Sequence, residues 1–299
     1  MKILIYSGGL GNQMFQYAFY KAFSLNHKEL WTTTAWYSFN NSHNGYELKR
    51  IFDISYRKNL ALPFKLKKKT GGDKVQQLSE VQNSSLTKIL RNFLTNNPFV
   101  KFFEFPDSKY DGVFLNTRKF CIISGYFQNE KYFKSVSDLI VKDFTFPDFD
   151  ESENIQIAAK IKNTNSVSIH VRRGDYCGNS LFDGIVTTAY YKAAVDYIMK
   201  HVEAPVFYIF SDDIKWCEEN LEMQNEHYFI NWNKGSNSFR DMQLMSLCKH
   251  NIIPNSSFSW WGAWLNQNKE KIVVAPSKWV NDNSRLDFSD IIPSSWIRI

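Results

Sequence analysis

The 299-residue sequence contains no apolar run as long as a membrane-spanning helix requires, which is about 20 residues. Its first residues, MKILIYSGGLGNQ, also lack the long apolar segment and the small-residue cleavage site of a secretory signal. Both absences argue against a secreted or membrane-embedded protein. We therefore expect a cytoplasmic protein with no transmembrane helix.

Cysteine is scarce. The four cysteines are far apart and form no CxxC pair: Cys121, Cys177, Cys217 and Cys248. Zinc sites and disulfide frameworks require cysteines grouped at short, regular spacings. The sequence therefore predicts reduced thiols, with neither a cysteine-based metal site nor a disulfide framework.

A dense positive charge is also missing, because the net charge is only +6. That excess suits a site for an anion or an anionic surface; nucleic-acid binding is the least favoured interpretation, since no RNP or KH pattern is present. The basic stretch 57–74 is interpreted as a solvated loop, and the alternative is peripheral contact with anionic membrane lipids. Aromatic residues are abundant, at 16%, and can build cores or a groove that stacks sugars or bases.

Apolar runs alternate with helical patterns along the chain, which predicts an α/β fold with parallel sheets. The clearest strands are KILIYS, SVSIHV and VFYIFS, and a helical pattern follows each of them. Ligands of such folds bind at the carboxyl ends of the strands. An acidic connector that contains Pro147 predicts a division into two domains, residues 1–150 and 151–299.

Two arginines and an aspartate follow the predicted strand SVSIHV directly, in the segment HVRRGD. Because the side chains of a strand alternate between its two faces, His170 and Arg172 leave the same face at the carboxyl end. A guanidinium at that place suits bidentate contact with a phosphate. For Arg173, which begins the turn, a salt bridge with a carboxylate elsewhere is the favoured alternative.

Two other predicted strand ends carry groups of the same kind. The segment NSSFSWWGAW places Ser256 and Ser257 at the start of a helix, where free N–H groups bind an anion unless a serine only caps the helix. The segment IFSDD places Asp212 and Asp213 after a strand. A carboxylate there can bind a metal, accept hydrogen bonds from guanine, or cap the following helix.

The turn SGGLGNQ, residues 7–13, matches neither the Walker A pattern nor GxGxxG. By spacing alone it indicates only a close approach of the backbone to a ligand. Taken together, the four segments supply hydrogen-bond donors for an anion, a carboxylate that can bind a nucleobase, and a Gly-Asn-Gln turn. All of them lie at strand ends of the two halves. A nucleoside diphosphate held in a cleft would use all of them.

The sequence resembles glycosyltransferase family 11, the α-1,2-fucosyltransferases, from residue 1 to about residue 280. The segments that carry this resemblance are HVRRGDY, GGLGNQMFQYAFY, SGYFQNEKYF and DMQLMSLCKHNIIPNSSFSWWGAWL. HxRRxD also resembles the motif of α-1,6- and protein O-fucosyltransferases, which marks a wider group of enzymes that use GDP-fucose. The resemblance implies a GT-B architecture, with two Rossmann-like halves that face each other across a cleft.

The resemblance further implies which residues bind and react. The second half would hold the donor substrate GDP-fucose, with no cofactor, and the first half would contribute to the acceptor side. The implied contacts are His170 with guanine or ribose, Arg172 with the pyrophosphate, Asp212 or Asp213 with guanine, Ser256, Ser257 and Phe258 with the β-phosphate, and Asn12 with the reaction centre. Gly11 and Gln13 are predicted substrate-binding neighbours of Asn12 in the same turn.

The base that accepts the proton of the acceptor hydroxyl is not identified by the resemblance. Asp183, which follows the arginine turn, is the first candidate, and Asp175 and Glu130 are weaker ones. A loose transition state can also proceed with a weak base or with the phosphate itself. The segment DFD at 148–150 has the form of the DxD motif of metal-dependent transferases, but its place in the acidic connector favours a solvated linker. We expect no metal requirement.

The function implied is the inverting transfer of fucose from GDP-β-L-fucose to O2 of a terminal galactose. The acceptor would be an oligosaccharide at the cytosolic face of the membrane, such as a lipid-linked repeat of a surface polysaccharide. Two alternatives remain open: a GDP-fucose-dependent transferase of another linkage, such as α-1,6 on N-acetylglucosamine, and a GDP-sugar-binding protein without turnover.

Overall fold

A computed structural model describes most of the chain. The described residues are 2–26, 30–38, 43–56, 100–105, 108–110, 120–281 and 287–299. The basic stretch 57–74 and the lipid contact predicted as its alternative role lie outside the described residues. Within the described residues, no helix has both the length and the hydropathy that a membrane crossing requires.

The first half contains a sheet of four parallel strands. Its elements are β1 (Lys2–Ile5), α1 (Leu10–Asn26), β2 (Leu30–Thr33), α2 (Leu48–Phe52), β3 (Val100–Phe105), β4 (Phe120–Gly125) and α3 (Ser137–Asp143). The strand order is β2-β1-β4-β3, so β1 lies inside the sheet and α1 follows it directly. This is the β-turn-α opening that the sequence predicts.

The second half contains a sheet of six parallel strands. Its elements are α4 (Ser152–Asn163), β5 (Asn165–Val171), α5 (Thr188–His201), β6 (Pro205–Ser211), α6 (Ile214–Asn220), β7 (His227–Ile230), α7 (Phe239–Leu247), β8 (His250–Ile252), α8 (Ser257–Leu265), β9 (Val273–Ala275) and β10 (Ile297–Arg298). The strand order is β10-β9-β8-β5-β6-β7, which places β5 between β6 and β8. The α/β class with parallel sheets is confirmed.

The side chains of β5 alternate as the sequence predicts. Val167, Ile169 and Val171 are buried in one apolar cluster with residues of α5. On the opposite face, Ser168 accepts a hydrogen bond from Asn251 of β8. That face leads to His170 and then to Arg172, so the strand delivers both residues to one side of its carboxyl end.

One of the three apolar clusters of the described residues joins the two halves. Every described strand of the first sheet precedes residue 150 and every described strand of the second follows residue 151, but a single apolar cluster joins residues of both halves. Trp260 and Trp261 of α8 are fully buried in this cluster against Phe15 of α1, with ring centroids 4.5 and 4.9 Å from that of Phe15. The domain boundary at 150/151 therefore stays a prediction about the chain, and the packing does not divide there.

Candidate functional site

Strand order brings the predicted residues together. β5 is hydrogen-bonded to β6 on one side and to β8 on the other, and all three strands are parallel. Their carboxyl ends therefore lie side by side at one edge of the sheet, where ligands of such folds bind. HVRRGD spans the end of β5 and the turn after it, SDD spans the end of β6, and NSS follows β8.

The turn after β5 is held by Asp212. The Oδ1 atom of Asp212 accepts a hydrogen bond from the backbone N–H of Arg173 at 3.0 Å, and Oδ2 accepts one from that of Gly174 at 3.1 Å. Arg172 Nη1 lies 3.1 Å from the same Oδ2. Both oxygens of Asp212 are thus engaged with the turn, while its predicted contact with guanine stays a prediction.

Arg172 is positioned by two carboxylates and a ring. Its Nε donates to Asp175 Oδ1 at 2.8 Å, and its guanidinium lies 6.0 Å from the ring centre of Tyr176. Burial acts to lower the pKa of Arg172, but the carboxylates of Asp175 and Asp212 outweigh it and the pKa is raised, so the group stays cationic. The hydroxyl of Tyr176 donates to the carbonyl of Asn255 at 3.0 Å. These contacts connect the guanidinium to the turn just before α8.

Arg173 and Asp213 have the alternative roles that the sequence left open. Arg173 Nε lies 3.2 Å from Asp213 Oδ2, and the guanidinium lies 4.1 Å from a ring centre of Trp216. Asp213 Oδ1 accepts from the backbone N–H of Trp216 at 3.2 Å and so caps α6. The side chain of Asp213 caps α6 and pairs with Arg173. Its contact with guanine stays a prediction.

The start of α8 lies against the start of α1. Ser256 occupies the N-cap position of α8, but its side chain makes no capping hydrogen bond. A methyl group built on Gly11 would lie 2.6 Å from the carbonyl carbon of Ser257 and 2.8 Å from the nitrogen of Phe258. The indole of Trp261 donates to the Gly11 carbonyl at 3.0 Å. Gly11 therefore allows the two helices to meet at their N-termini, where the dipoles favour an anion.

His170 is a buried, neutral imidazole beside this helix start. It is only 6% exposed, its ring centre lies 5.8 Å from that of Phe258, and its Nδ1 has no hydrogen-bond partner among the described residues. Burial, followed by the positive charge of Arg172, lowers its pKa to about 3. A buried polar atom without a partner is rare in proteins and marks a place where a ligand atom can bind.

The structure places the GNQ segment, which the sequence predicts as a turn, in the first turn of α1, and its two amide residues have different surroundings. Asn12 Oδ1 accepts a hydrogen bond from Gln128 Nε2 at 2.8 Å. Gln13 is fully buried, and its Nε2 donates to the carbonyls of Gly8 at 3.1 Å and Gly45 at 2.8 Å. Its Oε1 accepts from the backbone N–H of Glu47 at 2.8 Å. Gln13 thus uses its whole amide to hold the backbone, while its substrate contact stays a prediction.

Asp183 lies in the exposed loop between β5 and α5. Its Oδ2 accepts from the backbone N–H of Gly178 at 3.0 Å, and its carbonyl accepts from Asn281 Nδ2 at 3.0 Å. The first bond closes the loop on itself, and the second ties the loop to the segment after β9. The role of Asp183 as base stays a prediction.

His43 is a residue that the sequence reasoning missed. It belongs to the first half, its ring packs on Gly9, and the charges of Arg172 and Asp175 from the second half act on it. The sequence HNG signals a turn through Asn44 and Gly45. Nothing in that signal tells that Arg172 and Asp175, 129 and 132 positions further along the chain, act on the pKa of the histidine, so only the fold could find it.

The DFD segment has a role in packing. Asp150 Oδ1 lies 2.7 Å from Nη2 of Arg240, a buried arginine of α7. Across the described parts of the chain, no group of three or more His, Cys, Asp or Glu side chains is placed to hold a metal ion.

Comparisons with known proteins identify relatives over the whole length of the chain. The sequence pattern described as Glycosyl transferase family 11 matches residues 1–299. The O-antigen biosynthesis glycosyltransferase WbnK of Escherichia coli is 34% identical over 98% of this chain and 98% of its own length. An alpha-1,2-colitosyltransferase of Escherichia coli is 33% identical over 98% of this chain and 97% of its own length. Human galactoside alpha-(1,2)-fucosyltransferase 1 is 29% identical over 49% of this chain and 43% of its own.

A solved structure supports the fold. FUT1 of Arabidopsis thaliana, determined as a mutant in complex with GDP, is similar with a TM-score of 0.50 and 10% identity, covering 92% of this chain and 70% of that one. At this identity the likeness concerns the fold alone. It confirms the predicted GT-B type with two Rossmann-like halves.

Proposed function

The chain belongs to glycosyl transferase family 11, and on this basis we propose that it transfers L-fucose from GDP-β-L-fucose to O2 of a terminal galactose. The product would be an α-1,2-fucoside on an oligosaccharide. The transfer would proceed with inversion, in one displacement and without a metal ion.

One observation carries the proposal: a fixed guanidinium and an uncapped helix start lie at the same edge of the sheet. Arg172 is held by Asp175 and Asp212, and Tyr176 connects it to the segment that begins α8. The neutral His170 adds an unpartnered Nδ1 beside Phe258. A diphosphate supplies the negative charge and the acceptor oxygens that this arrangement lacks.

The chemistry follows from where charge develops. As the bond between C1 of fucose and the phosphate oxygen breaks, negative charge grows on the β-phosphate and the sugar becomes oxocarbenium-like. Groups that are already oriented toward that charge lower the barrier, because they need no reorganisation during the reaction. Arg172 and the N-terminus of α8 would take this role, which in other transferases a divalent cation fills.

The relatives support the linkage and the class of acceptor. Two of them are named for α-1,2 linkages, one for colitose and one for fucose on a galactoside. A third is named for the biosynthesis of O-antigen. We therefore propose a galactose-terminated saccharide of a surface polysaccharide as the acceptor, carried on a lipid at the cytosolic face of the membrane.

The relative named for colitose supports a second donor. Colitose is the 3-deoxy form of L-fucose, so GDP-colitose would present the same pyrophosphate and the same anomeric carbon to the site. It would differ only where the 3-hydroxyl is missing. A site that hydrogen-bonds a sugar hydroxyl rejects the analogue that lacks it far more strongly than an apolar site rejects an added hydroxyl.

The experiment that tests the function combines a panel of GDP-sugars with a small set of galactosides. Release of GDP measures turnover, and NMR of the product identifies the linkage. We expect GDP-fucose to be used and the product to be an α-1,2-fucosyl galactoside. A 1,6-linked product would show that the proposed linkage is wrong, and a preference for GDP-colitose would show that the proposed donor is wrong. Binding of GDP-fucose without GDP release would identify a binding protein.

Metal independence is tested on the same reaction. We expect full activity in excess EDTA, because protein cations would neutralise the diphosphate. Activity that EDTA abolishes and Mn²⁺ restores would overturn this part of the proposal.

A further inference from the structure

His43 occupies a defined place on the backbone of Gly9, just before α1. A methyl group built on Gly9 would lie 3.3 Å from both Cγ and Nδ1 of His43, so the imidazole packs on the bare backbone of that glycine. Nε2 is the ring nitrogen further from Gly9. The ring is partly open to solvent, and no hydrogen bond engages it among the described residues.

The segment that carries His43 is held from both halves of the molecule. Gln13 of α1 binds the carbonyl of Gly45 and the N–H of Glu47. Asn44 Nδ2 donates across the cleft to the carbonyl of Gly235 at 2.9 Å and to Ser238 Oγ at 3.2 Å. His43 itself has a φ of +59°, a left-handed conformation that a non-glycine residue adopts only when its surroundings enforce it.

The charges that act on His43 come from the donor side of the cleft. Burial and then the cation of Arg172 lower its pKa below the ordinary value of 6.5, and the carboxylate of Asp175 opposes them in part. The imidazole is therefore neutral at pH 7 and able to accept a proton. It lies in the field of Arg172, the group proposed above to bind the pyrophosphate.

We propose that His43 is the base on the acceptor side, which takes the proton of the attacking galactose hydroxyl. This inference rests on the proposed fucosyl transfer. In the step, the hydroxyl oxygen forms a bond with C1 of fucose as the bond between C1 and the phosphate oxygen breaks. The electron pair of that bond leaves with GDP, and the hydroxyl proton passes to Nε2 of His43, which later releases it to water.

The carboxylates near the site are engaged elsewhere. Asp175 is paired with Arg172 Nε, and Asp183 closes its own loop through Gly178. Histidine is the side chain that most often serves as a general base in enzymes. His43 is also the one of these three that belongs to the first half, where the resemblance places the acceptor.

The test compares His43→Asn with the parent protein. Asparagine tolerates the left-handed backbone at position 43 and keeps a polar side chain, but it does not accept a proton at neutral pH. We expect kcat for fucosyl transfer to fall about 100-fold or more, while the Kd for GDP, measured by calorimetry, changes less than about threefold. The acid limb of the pH profile of kcat should disappear. His201→Asn, at the exposed end of α5, is the matched control and should behave like the parent.

A second variant guards against a purely structural effect. His43→Ala should regain part of its kcat when free imidazole is added, because the small base can enter the space left by the ring. If His43→Asn keeps more than about a third of the parent kcat, or loses GDP affinity by the same factor as kcat, the inference is wrong. Absence of transfer by the parent itself would instead overturn the proposed function.

Discussion

The two halves of the molecule solve the same structural problem with different residues. β1 and β5 are both inner strands of parallel sheets, and each ends in a turn at the cleft. The segment after β1 consists of glycines followed by amides in the first turn of α1, and Gly11 lets one helix start rest on another. The turn after β5 is built from arginines and aspartates, and Asp212 ties it to the neighbouring strand end.

The difference indicates that the two halves would bind different substrates in the proposed reaction, the donor at the second half and the acceptor at the first. In the proposed reaction, Arg172 and the start of α8 in the second half would stabilise the negative charge of the leaving diphosphate. The proposed acceptor would need space and a base. In the first half, the bare backbone of Gly9 would leave the space and His43 would be the base. The apolar cluster that α1 and α8 share holds the segments after β1 and β5 in fixed positions relative to each other.

The largest expected effect comes from removing the charge of the second half. Arg172→Ala should lower kcat/KM for fucosyl transfer about 10²- to 10³-fold and weaken GDP binding, since one oriented donor to the developing charge is lost. Circular dichroism should show an intact fold. Arg173→Ala is the matched control and should lose much less, because its guanidinium is engaged by Asp213 and Trp216. Equal losses of kcat/KM in the two variants would show that Arg172 has no special role compared with Arg173.

The next effect concerns the contact between the halves. Gly11→Ala should lower the free energy of unfolding by about 3 kcal/mol, because the added methyl would meet backbone atoms of Ser257 and Phe258. Gly178→Ala is the control: its φ is +76° but its Cβ position is open, so we expect a loss of about 1 kcal/mol. Urea unfolding measures both. A neutral Gly11→Ala would mean that the helices do not meet as described.

A smaller effect distinguishes the buried His170 from ordinary histidines. Its pKa in the folded protein, about 3, is far below the unfolded value of about 6.5, so its contribution to stability is present above pH 6.5 and is lost as the pH falls toward 3. Between pH 8 and pH 5 the parent should lose about 2 kcal/mol more unfolding free energy than His170→Asn. Parallel pH profiles for the two proteins would show that His170 is not buried as a neutral ring.

The smallest effect separates the two aspartates of the turn region. Asp212→Ala should weaken GDP and ADP binding by the same factor, about tenfold, because it loosens the turn that carries Arg172. Asp213→Ala should leave nucleotide affinity unchanged and cost about 1 kcal/mol of stability as a lost helix cap. Calorimetry with both nucleotides checks this. If Asp212→Ala weakens the binding of GDP but not that of ADP, Asp212 contacts guanine as the sequence predicts.

Much of the fold was predictable, because local patterns decide it. The alternation of SVSIHV predicted which face of β5 carries His170 and Arg172, and the helix after NSS begins at Ser257 as expected. A helical pattern runs over residues 238–250, but the helix α7 ends at Leu247, because His250 belongs to β8 and pairs with β5. Pairing with a strand distant in sequence overrides a local helical pattern.

The sequence by itself determined the class of fold, the family and the strand ends at which polar groups gather. Those features depend on periodicity and on short motifs, which are local properties of the chain. The tertiary structure decided what each group binds: Asp212 accepts a hydrogen bond from a turn 38 residues away, Gln13 donates to a carbonyl 32 residues away, and the charge of Arg172 in the other half acts on His43. Hydrogen-bond partners and electric fields act through space, and no local pattern contains them.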